Sequence, residues 1–415
     1  MKTDRNAPIG VFDSGVGGLT VAREIMRNLP MEKIVYFGDT ARVPYGSKSK
    51  ETVIRYSRQI VRFLQKQGVK AIVIACNTAS ALALDTLEKE IDIPIIGVVK
   101  PGARVAARET TKKRVGVIAT EATINSHLYR ELIQQIDPEI TVVGKPCPLF
   151  VPLVEEGWRK DPVTEIVARR YLKEMQDEKV DTLILGCTHY PLLRGVIGSI
   201  MGDQVQLVNP AYETSLALKQ LLIEQDLLNQ GSVEEEFPYR FYVSDAAEKF
   251  KSFANSILPY DVEMTKEVLI HLKGMQTTDD PHGSDEPLEL ITVGEYYYRN
   301  NTHYLLYEEQ MEGLDEPIHN LVKIRPGHME VRKKGPVQTN MVFETEKQNM
   351  ACYQTPYGPI QMDITTTGVN LGEEEELLEI KTEYVLGMNG QKVADCQMHI
   401  RVTPKGSKET TFFRA

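Results

Sequence analysis

Two cysteines, Cys76 and Cys187, stand in similar sequence settings and could carry acid–base chemistry. Each ends a short apolar run of the kind that forms buried strands, and each is followed by two polar residues. A thiol has an unperturbed pKa of ~8.5, close to working pH, so it can take up and release a proton. Each cysteine also precedes a predicted helix, at 78–90 and at 191–201, whose N-terminal dipole is expected to favour the thiolate.

Racemisation of an amino acid needs proton transfer at both faces of one carbon. One thiolate removes the α-proton while a second group, as the thiol, delivers a proton to the far face, and the roles exchange in the reverse reaction. A hydrolase would instead need a nucleophile with its base and an oxyanion hole. A strand-end cysteine taken alone is more often a packing residue, but two cysteines at matching positions favour catalysis.

The two cysteines lie within an internal repeat. Ile9–Ser14 resembles Val115–Thr120, 106 residues later, and three further apolar runs recur in the same order at offsets of 106 to 111. The repeat predicts two pseudo-symmetric α/β lobes with mainly parallel sheets. Because ligands bind at the carboxyl ends of such strands, facing lobes would place the thiols on opposite sides of one cleft.

A glycine-rich turn, FDSGVGGL at 12–19, separates the first predicted strand from its helix. Such a turn allows close approach to a ligand, but the spacing is not GxGxxG and no lysine follows, so a nucleotide site is disfavoured. An amino-acid ligand fits better, since Asp13 can bind its ammonium group or assist a base and Ser14 can donate to its carboxylate. A helix-capping role for Asp13 remains open.

Composition limits the compartment and the partners. The 415 residues suit two or three domains, and the net charge of -10 argues against a nucleic-acid partner. The sequence has no apolar run of signal-peptide or membrane-helix length, which predicts a cytoplasmic protein without a membrane partner. Five cysteines without CxxC spacing argue against both a disulfide framework and a zinc site, and no metal is predicted.

The pattern of the sequence changes near residue 274. The segment 274–287 has linker composition, and beyond it apolar and polar residues alternate, which predicts an antiparallel barrel or sandwich. The predicted organisation is lobe A at 1–98 and 208–273, lobe B at 99–207, the linker at 274–287 and a separate C-terminal antiparallel β-barrel at 288–415.

Five strings together resemble bacterial glutamate racemase: FDSGVGGLTV, GDTARVPYG, ACNTASA, VPLVEEG and LGCTHYPLL. They occur in the order of that family across about residues 8 to 265. The resemblance implies two similar α/β lobes, glutamate as the substrate, D-glutamate supply for peptidoglycan, and no pyridoxal phosphate or other cofactor. A homodimer is expected. The tail from about residue 288 resembles a small uncharacterised family with a lipocalin-like barrel, and it transfers no catalytic residue.

The resemblance also assigns roles to residues by their motifs. It implies that Cys76 and Cys187 are the two bases and that Asp13 and His189 assist them. The substrate-binding residues that it implies are Asp13, Ser14, Pro44, Tyr45, Gly46, Asn77, Thr78, Thr123 and Thr188. Either Glu155 or Glu156 matches an acidic position of the family near the cleft.

Two other functions remain open at this stage. The first is a racemase of another acidic amino acid, such as aspartate, although the strings GDTARVPYG and CTHYPLL favour glutamate. The second is a protein that binds an amino acid in the cleft without turnover. Exchange of the α-proton with solvent distinguishes catalysis from binding alone.

Overall fold

The structure is a computed structural model that describes the chain except for residues 1–3, 232–237, 261, 278–287, 312–315, 356–357, 375–376, 389, 406–411 and 415. The chain forms two compact units. The first contains Met1–Val262 and Thr410–Ala415, and the second contains Glu263–Glu409. Within the described ranges, no helix is long and apolar enough to cross a membrane.

The first unit alternates strands and helices, as the sequence repeat predicts. Its strands are β1 (Ile9–Asp13), β2 (Ile34–Gly38), β3 (Ala71–Ile74), β4 (Ile95–Gly97), β5 (Arg114–Ala119), β6 (Thr141–Pro146), β7 (Thr182–Gly186), β8 (Gln206–Val208) and β9 (Tyr239–Val243). Its α-helices are α1 (Leu19–Asn28), α2 (Lys50–Lys66), α3 (Asn77–Leu87), α4 (Val99–Glu109), α5 (Glu121–Asn125), α6 (Leu128–Ile136), α7 (Phe150–Glu155), α8 (Pro162–Asp177), α9 (Arg194–Met201), α10 (Pro210–Glu224) and α11 (Ala247–Ile257).

The strands of this unit form two sheets with the same strand order. The first sheet has the order β4-β3-β1-β2-β9, and the second has the order β8-β7-β5-β6, with all of these pairs parallel. The strands β5 to β8 therefore occupy the places of β1 to β4, which confirms the predicted pair of similar lobes. In each sheet the second strand lies on one side of the first strand, and the third strand lies on its other side. Open α/β sheets bind ligands at the point where the strand order reverses in this way.

Side chains that cap helices fix where several helices begin. Each accepts a hydrogen bond from a backbone N–H in the first turn, which otherwise has no partner within the helix. The capping residues are Ser49 for α2, Cys76 for α3, Thr120 for α5, Asp161 for α8 and Asn209 for α10. Three of them, Cys76, Thr120 and Asn209, follow β3, β5 and β8, so these helices begin at the carboxyl ends of strands of the two sheets.

The second unit is a nearly closed barrel of antiparallel strands. The strands are β10 (Glu263–Thr277), β11 (Leu288–Arg299), β12 (Thr302–Glu309), β13 (Ile318–Arg325), β14 (His328–Lys334), β15 (Thr339–Glu344), β16 (Lys347–Thr355), β17 (Gly358–Glu374), β18 (Leu377–Met388) and β19 (Gln391–Pro404). Neighbours in the chain pair from β10 to β15 and from β16 to β19, and β19 pairs with β10. The bridge Gln338–Gln354 joins β15 to β16. The predicted C-terminal barrel is confirmed.

The domain boundary differs from the predicted one. Strand β10 pairs along its length with β11 and β19, so residues 263–273 belong to the barrel sheet and not to lobe A. Burial alternates along it, with Val268 and Ile270 buried and Leu269 exposed, as a strand of a barrel requires. Residues 278–287 of the predicted linker lie outside the described residues. A last strand, β20 (Phe412–Arg414), pairs antiparallel with β9 in the first unit.

Candidate functional site

A single cavity in the first unit collects most of the residues that the motifs single out. It is lined by Ser14, Gly15, Val43, Pro44, Tyr45, Gly46, Cys76, Asn77, Thr78, Thr120, Val151, Glu155, Cys187, Thr188 and His189. Both candidate thiols therefore line the same cavity, at the carboxyl ends of β3 and β7. Of the predicted site residues, Asp13 and Thr123 do not line it.

Cys76 follows β3 and caps α3. Its Sγ accepts a hydrogen bond from the backbone N–H of Ala79 at 3.5 Å and lies 3.6 Å from Oγ of Ser14. Burial, together with the nearby Asp13 carboxylate, raises the pKa of the Cys76 thiol to about 12. The helix N-terminus was expected to favour the thiolate at Cys76, but desolvation outweighs the helix dipole and favours the neutral thiol.

Cys187 follows β7 but does not begin an α-helix. A 3-10 turn, Tyr190–Leu193, comes first, and α9 starts only at Arg194. The predicted helix at 191–201 is thus shorter at its N-terminal end. The Sγ of Cys187 lies 3.8 Å from Nδ1 of His189, so the charge beside this thiol comes from an imidazole and not from a helix terminus.

His189 links Cys187 to a carboxylate. Its Nε2 lies 3.1 Å from Oε1 of Glu155. Burial by itself lowers the pKa of His189, but the contacts with Cys187 and Glu155 outweigh it and raise the pKa to about 10. The same contact holds the pKa of the Glu155 carboxyl below its ordinary value. Glu156 is 65% exposed and lies 3.7 Å from Lys249, so Glu155 is the acidic residue that faces the cavity.

Asp13 lies behind Cys76. It is fully buried, and its Oδ2 accepts hydrogen bonds from the backbone N–H groups of Gly15 and Gly18 at 3.1 and 3.0 Å. Burial raises the pKa of the Asp13 carboxyl. A Cβ at Gly18 would lie 2.4 Å from Cβ of Asp13, so this glycine allows the turn to close around the carboxylate. The glycine-rich turn does allow a close approach, as the sequence indicates. The group that it approaches here is the Asp13 side chain and not a ligand.

Gly17 has a corresponding role beside Cys187. A Cβ at this position would lie 2.3 Å from Oγ1 of Thr188 and 2.5 Å from the ring of His189. The hydroxyl of Thr20 donates to the backbone oxygen of Thr188 at 2.9 Å. The glycine-rich turn of the first lobe therefore packs directly against the segment that carries the second thiol.

Asp39 holds the loop at 44–46, which contributes three residues to the cavity wall. The buried carboxylate of Asp39 accepts hydrogen bonds from the Tyr45 hydroxyl, from Nε of Arg42 at 2.8 Å and from Oγ of Ser244 at 3.0 Å. Burial and the Asp39 charge raise the pKa of Tyr45, which keeps the phenol protonated. Sequence reasoning missed Asp39, although it stands in the GDTARVPYG string.

Three threonine hydroxyls connect the two lobes beside the cavity. The Thr78 Oγ1 lies 2.9 Å from that of Thr120 and 3.2 Å from that of Thr123, and the last two are 3.0 Å apart. Thr123 is buried behind the other two. Thr120 was not predicted, yet the repeat contains the signal, because it lies 106 residues after Ser14. Gly15, Val43 and Val151 also line the cavity without having been predicted.

Comparison with known proteins agrees with this geometry. A family model described as Asp/Glu/Hydantoin racemase matches residues 9–214. The glutamate racemase of Geobacter metallireducens is 52% identical over 250 residues, which are 60% of this chain and 92% of the relative. The chain belongs to the glutamate racemase family. A second model, a domain of unknown function called DUF1934, matches residues 270–400 in the barrel.

Solved structures of glutamate racemases superpose on the first part of the chain. The structure of an isoform from Bacillus anthracis has a TM-score of 0.60 and 39% identity, and it covers 62% of this chain and 96% of its own. The enzyme of Francisella tularensis, solved in complex with D-glutamate, has a TM-score of 0.58 and 44% identity over 62% of this chain and 95% of its own.

Proposed function

We propose that this chain interconverts L- and D-glutamate by proton exchange between two thiols, and so supplies D-glutamate for peptidoglycan synthesis. The observation that carries the proposal is the convergence of Cys76 and Cys187 on one cavity from equivalent strand ends of two similar sheets. A single thiol could serve binding or packing, whereas two that reach one substrate carbon from different lobes supply the acid and the base together.

The two thiols have different partners, which suggests their resting roles. Cys187 lies against His189, whose raised pKa keeps it cationic at neutral pH and able to stabilise a thiolate. Cys76, with its pKa of about 12, stays protonated and can deliver a proton. After one turnover Cys76 is the thiolate, and the second enantiomer is processed in the opposite direction. Asp13, behind Cys76, assists this return step.

The remaining cavity residues suit a small dicarboxylic amino acid. Hydroxyl and amide side chains of Ser14, Asn77, Thr78 and Thr188 face the cavity together with the loop at 44–46. These groups can donate hydrogen bonds to two carboxylates without adding another charge. Thr123 acts through Thr78, whose hydroxyl it contacts.

Solvent deuterium incorporation tests the mechanism. In D₂O, each glutamate enantiomer should give a product that carries deuterium at Cα, while the early unreacted substrate keeps its proton. Cys76→Ala and Cys187→Ala should each abolish racemisation with an unchanged circular dichroism spectrum. Near-normal turnover in either variant would refute the two-thiol mechanism, and deuterium exchange without inversion would indicate a single base.

Substrate choice and the quaternary state complete the proposal. The curated relatives favour glutamate over aspartate, and a racemisation assay with both amino acids separates the two. We also propose a homodimer, because apolar side chains that are 46 to 67% exposed cluster in one stretch of the first unit: Leu149, Trp158, Val163 and Ile166. Analytical ultracentrifugation tests it. Active free thiols fit a cytoplasmic location.

A further inference from the structure

Polar side chains form one row across four strands of the barrel. Cross-strand partners in the register lie about 4.5–5.5 Å apart between Cβ atoms when they face the same side. The pairs run from β12 to β15 through Tyr307, Asn320, Lys333 and Thr339. All four are mostly removed from solvent, which is unusual for a lysine and an asparagine.

The row faces the interior of the barrel. Tyr307 belongs to the buried apolar cluster inside the barrel, as do Val322 and Val331. Asn320 and Lys333 each stand two residues from one of these valines on the same strand, and such residues point to the same face. The amide and the ammonium group are thus directed inward.

Aromatic rings lie beside this row. Phe343 packs edge-on against Tyr384, with ring centroids 4.9 Å apart. Phe343 and Tyr307 belong to one buried cluster inside the barrel, and Tyr384 packs against that cluster. The polar row is therefore bordered by an aromatic wall.

Two buried polar atoms of the row have no hydrogen-bond partner among the described residues. They are Oδ1 of Asn320 and Oγ1 of Thr339, and the two residues are only 3% and 7% exposed. Glu309 accepts hydrogen bonds from Nζ of Lys333 at 2.7 Å and from Nδ2 of Asn320 at 3.4 Å. Since buried polar atoms in folded proteins are nearly always partnered, Oδ1 of Asn320 and Oγ1 of Thr339 can bind a donor and an acceptor that come from a bound molecule.

We propose that this end of the barrel binds a free α-amino acid with an apolar or aromatic side chain. The Glu309 carboxylate and Oδ1 of Asn320 are acceptors for the ammonium group, and the Lys333 ammonium and the Thr339 hydroxyl are donors for the carboxylate. A zwitterion engages both sets through charge-assisted hydrogen bonds and adds no net charge to the interior. Its side chain extends toward the aromatic wall.

Titration calorimetry on the full-length chain tests the ligand chemistry, with L-phenylalanine as the probe. 3-Phenylpropionate lacks the ammonium group and 2-phenylethylamine lacks the carboxylate, and each should bind at least about tenfold more weakly because it loses one of the two sets of charge-assisted hydrogen bonds. Saturating D-glutamate, which occupies the racemase cavity, should leave phenylalanine binding unchanged. The proposal is overturned if phenylalanine does not bind at millimolar concentration, if either analogue binds equally well, or if glutamate displaces it.

A pair of variants locates the site. Thr339→Val keeps the side-chain shape and removes a hydroxyl that has no partner within the described parts of the chain, so the melting temperature should not fall while phenylalanine binding weakens by about tenfold. Thr265→Val is the matched control, because its hydroxyl is also buried and unpartnered among the described residues but lies on β10, outside the row. Unchanged affinity in Thr339→Val, or an equal loss in both variants, would exclude this site.

Discussion

The contact between Glu155 and His189 allows a quantitative test, because the adjacent glutamate provides its own control. In the native protein, Nε2 of His189 lies 3.1 Å from the Glu155 carboxylate. Glu155→Gln keeps an acceptor oxygen at this place but removes its charge. Charge-assisted hydrogen bonds are roughly twice as strong as neutral ones and contribute about 1.5–3 kcal/mol, so about 1–1.5 kcal/mol is lost. That loss corresponds to about one pKa unit, and the pKa of His189 should fall from about 10 to about 9.

The change should appear in both stability and catalysis. Because the folded-state pKa of His189 is raised, its contribution to stability is fully present below the unfolded value of about 6.5 and is lost as pH rises through about 10. Glu155→Gln should therefore lower the free energy of unfolding by about 1–1.5 kcal/mol near pH 6, and the difference should vanish above about pH 10. The apparent pKa of the alkaline limb of the pH–rate profile should fall by about one unit.

The measurement is the titration of the His189 ring by ¹⁵N NMR, alongside kcat/KM from pH 6 to pH 10. Glu156→Gln removes an equal charge one residue away, from a carboxylate that is 65% exposed and contacts Lys249 at 3.7 Å, and it should leave both profiles unchanged. Equal shifts in the two variants would show that net charge, and not the Glu155 contact, sets the pKa of His189. No shift in either would refute the reasoning.

Three further predictions concern the thiols, the glycine-rich turn and the barrel. At pH 8 a pKa of about 12 leaves about one Cys76 thiol in 10⁴ ionised, so iodoacetamide should modify Cys187 before Cys76 in peptide mass spectra, and faster labelling of Cys76 would contradict the assigned roles. Gly17→Ala should lower kcat/KM by about 100-fold by displacing the segment after Cys187, whereas Gly195→Ala, which has open space, should keep full activity. A chain that ends at Val262 should remain an active racemase, because the racemase of Geobacter metallireducens matches the first unit over 92% of its own length. An inactive or insoluble product would show that the barrel is part of the active assembly.

Much of the first unit was predictable because its sheets are buried on both faces. Such strands are almost continuously apolar, so the runs at 9–14 and 115–120 could be matched to each other, and the repeated order of the runs predicted two similar lobes. The convergence of Cys76 and Cys187 followed from the same rule, since equivalent strand ends carry them. Ser14 and Thr120 are equivalent in the same way.

The details that escaped prediction depend on local geometry and on solvation. Glu155 and Glu156 are adjacent acids at the end of α7, and only the turn that follows decides which one reaches His189. The helix expected at 191 begins later, at Arg194, because the 3-10 turn Tyr190–Leu193 precedes it. The pKa of Cys76 depends on burial and on Asp13, which is sixty-three residues away in sequence, and a dipole argument from the helix alone gave the wrong direction.

The repeat accounts for the position of the thiols but not for their chemistry. The offset of 106 that relates Ser14 to Thr120 places Ala119 opposite Asp13, and the offset of 111 that relates the cysteines places Thr78 opposite His189. Each lobe thus has an ionisable group where the other has a neutral one. Because Asp13 lies behind one thiol and His189 beside the other, the two sulfurs stand in different electrostatic surroundings even though their strands are equivalent. In the proposed two-thiol mechanism the pair of sulfurs shares one proton, and this asymmetry favours one of the two positions of that proton in the free enzyme.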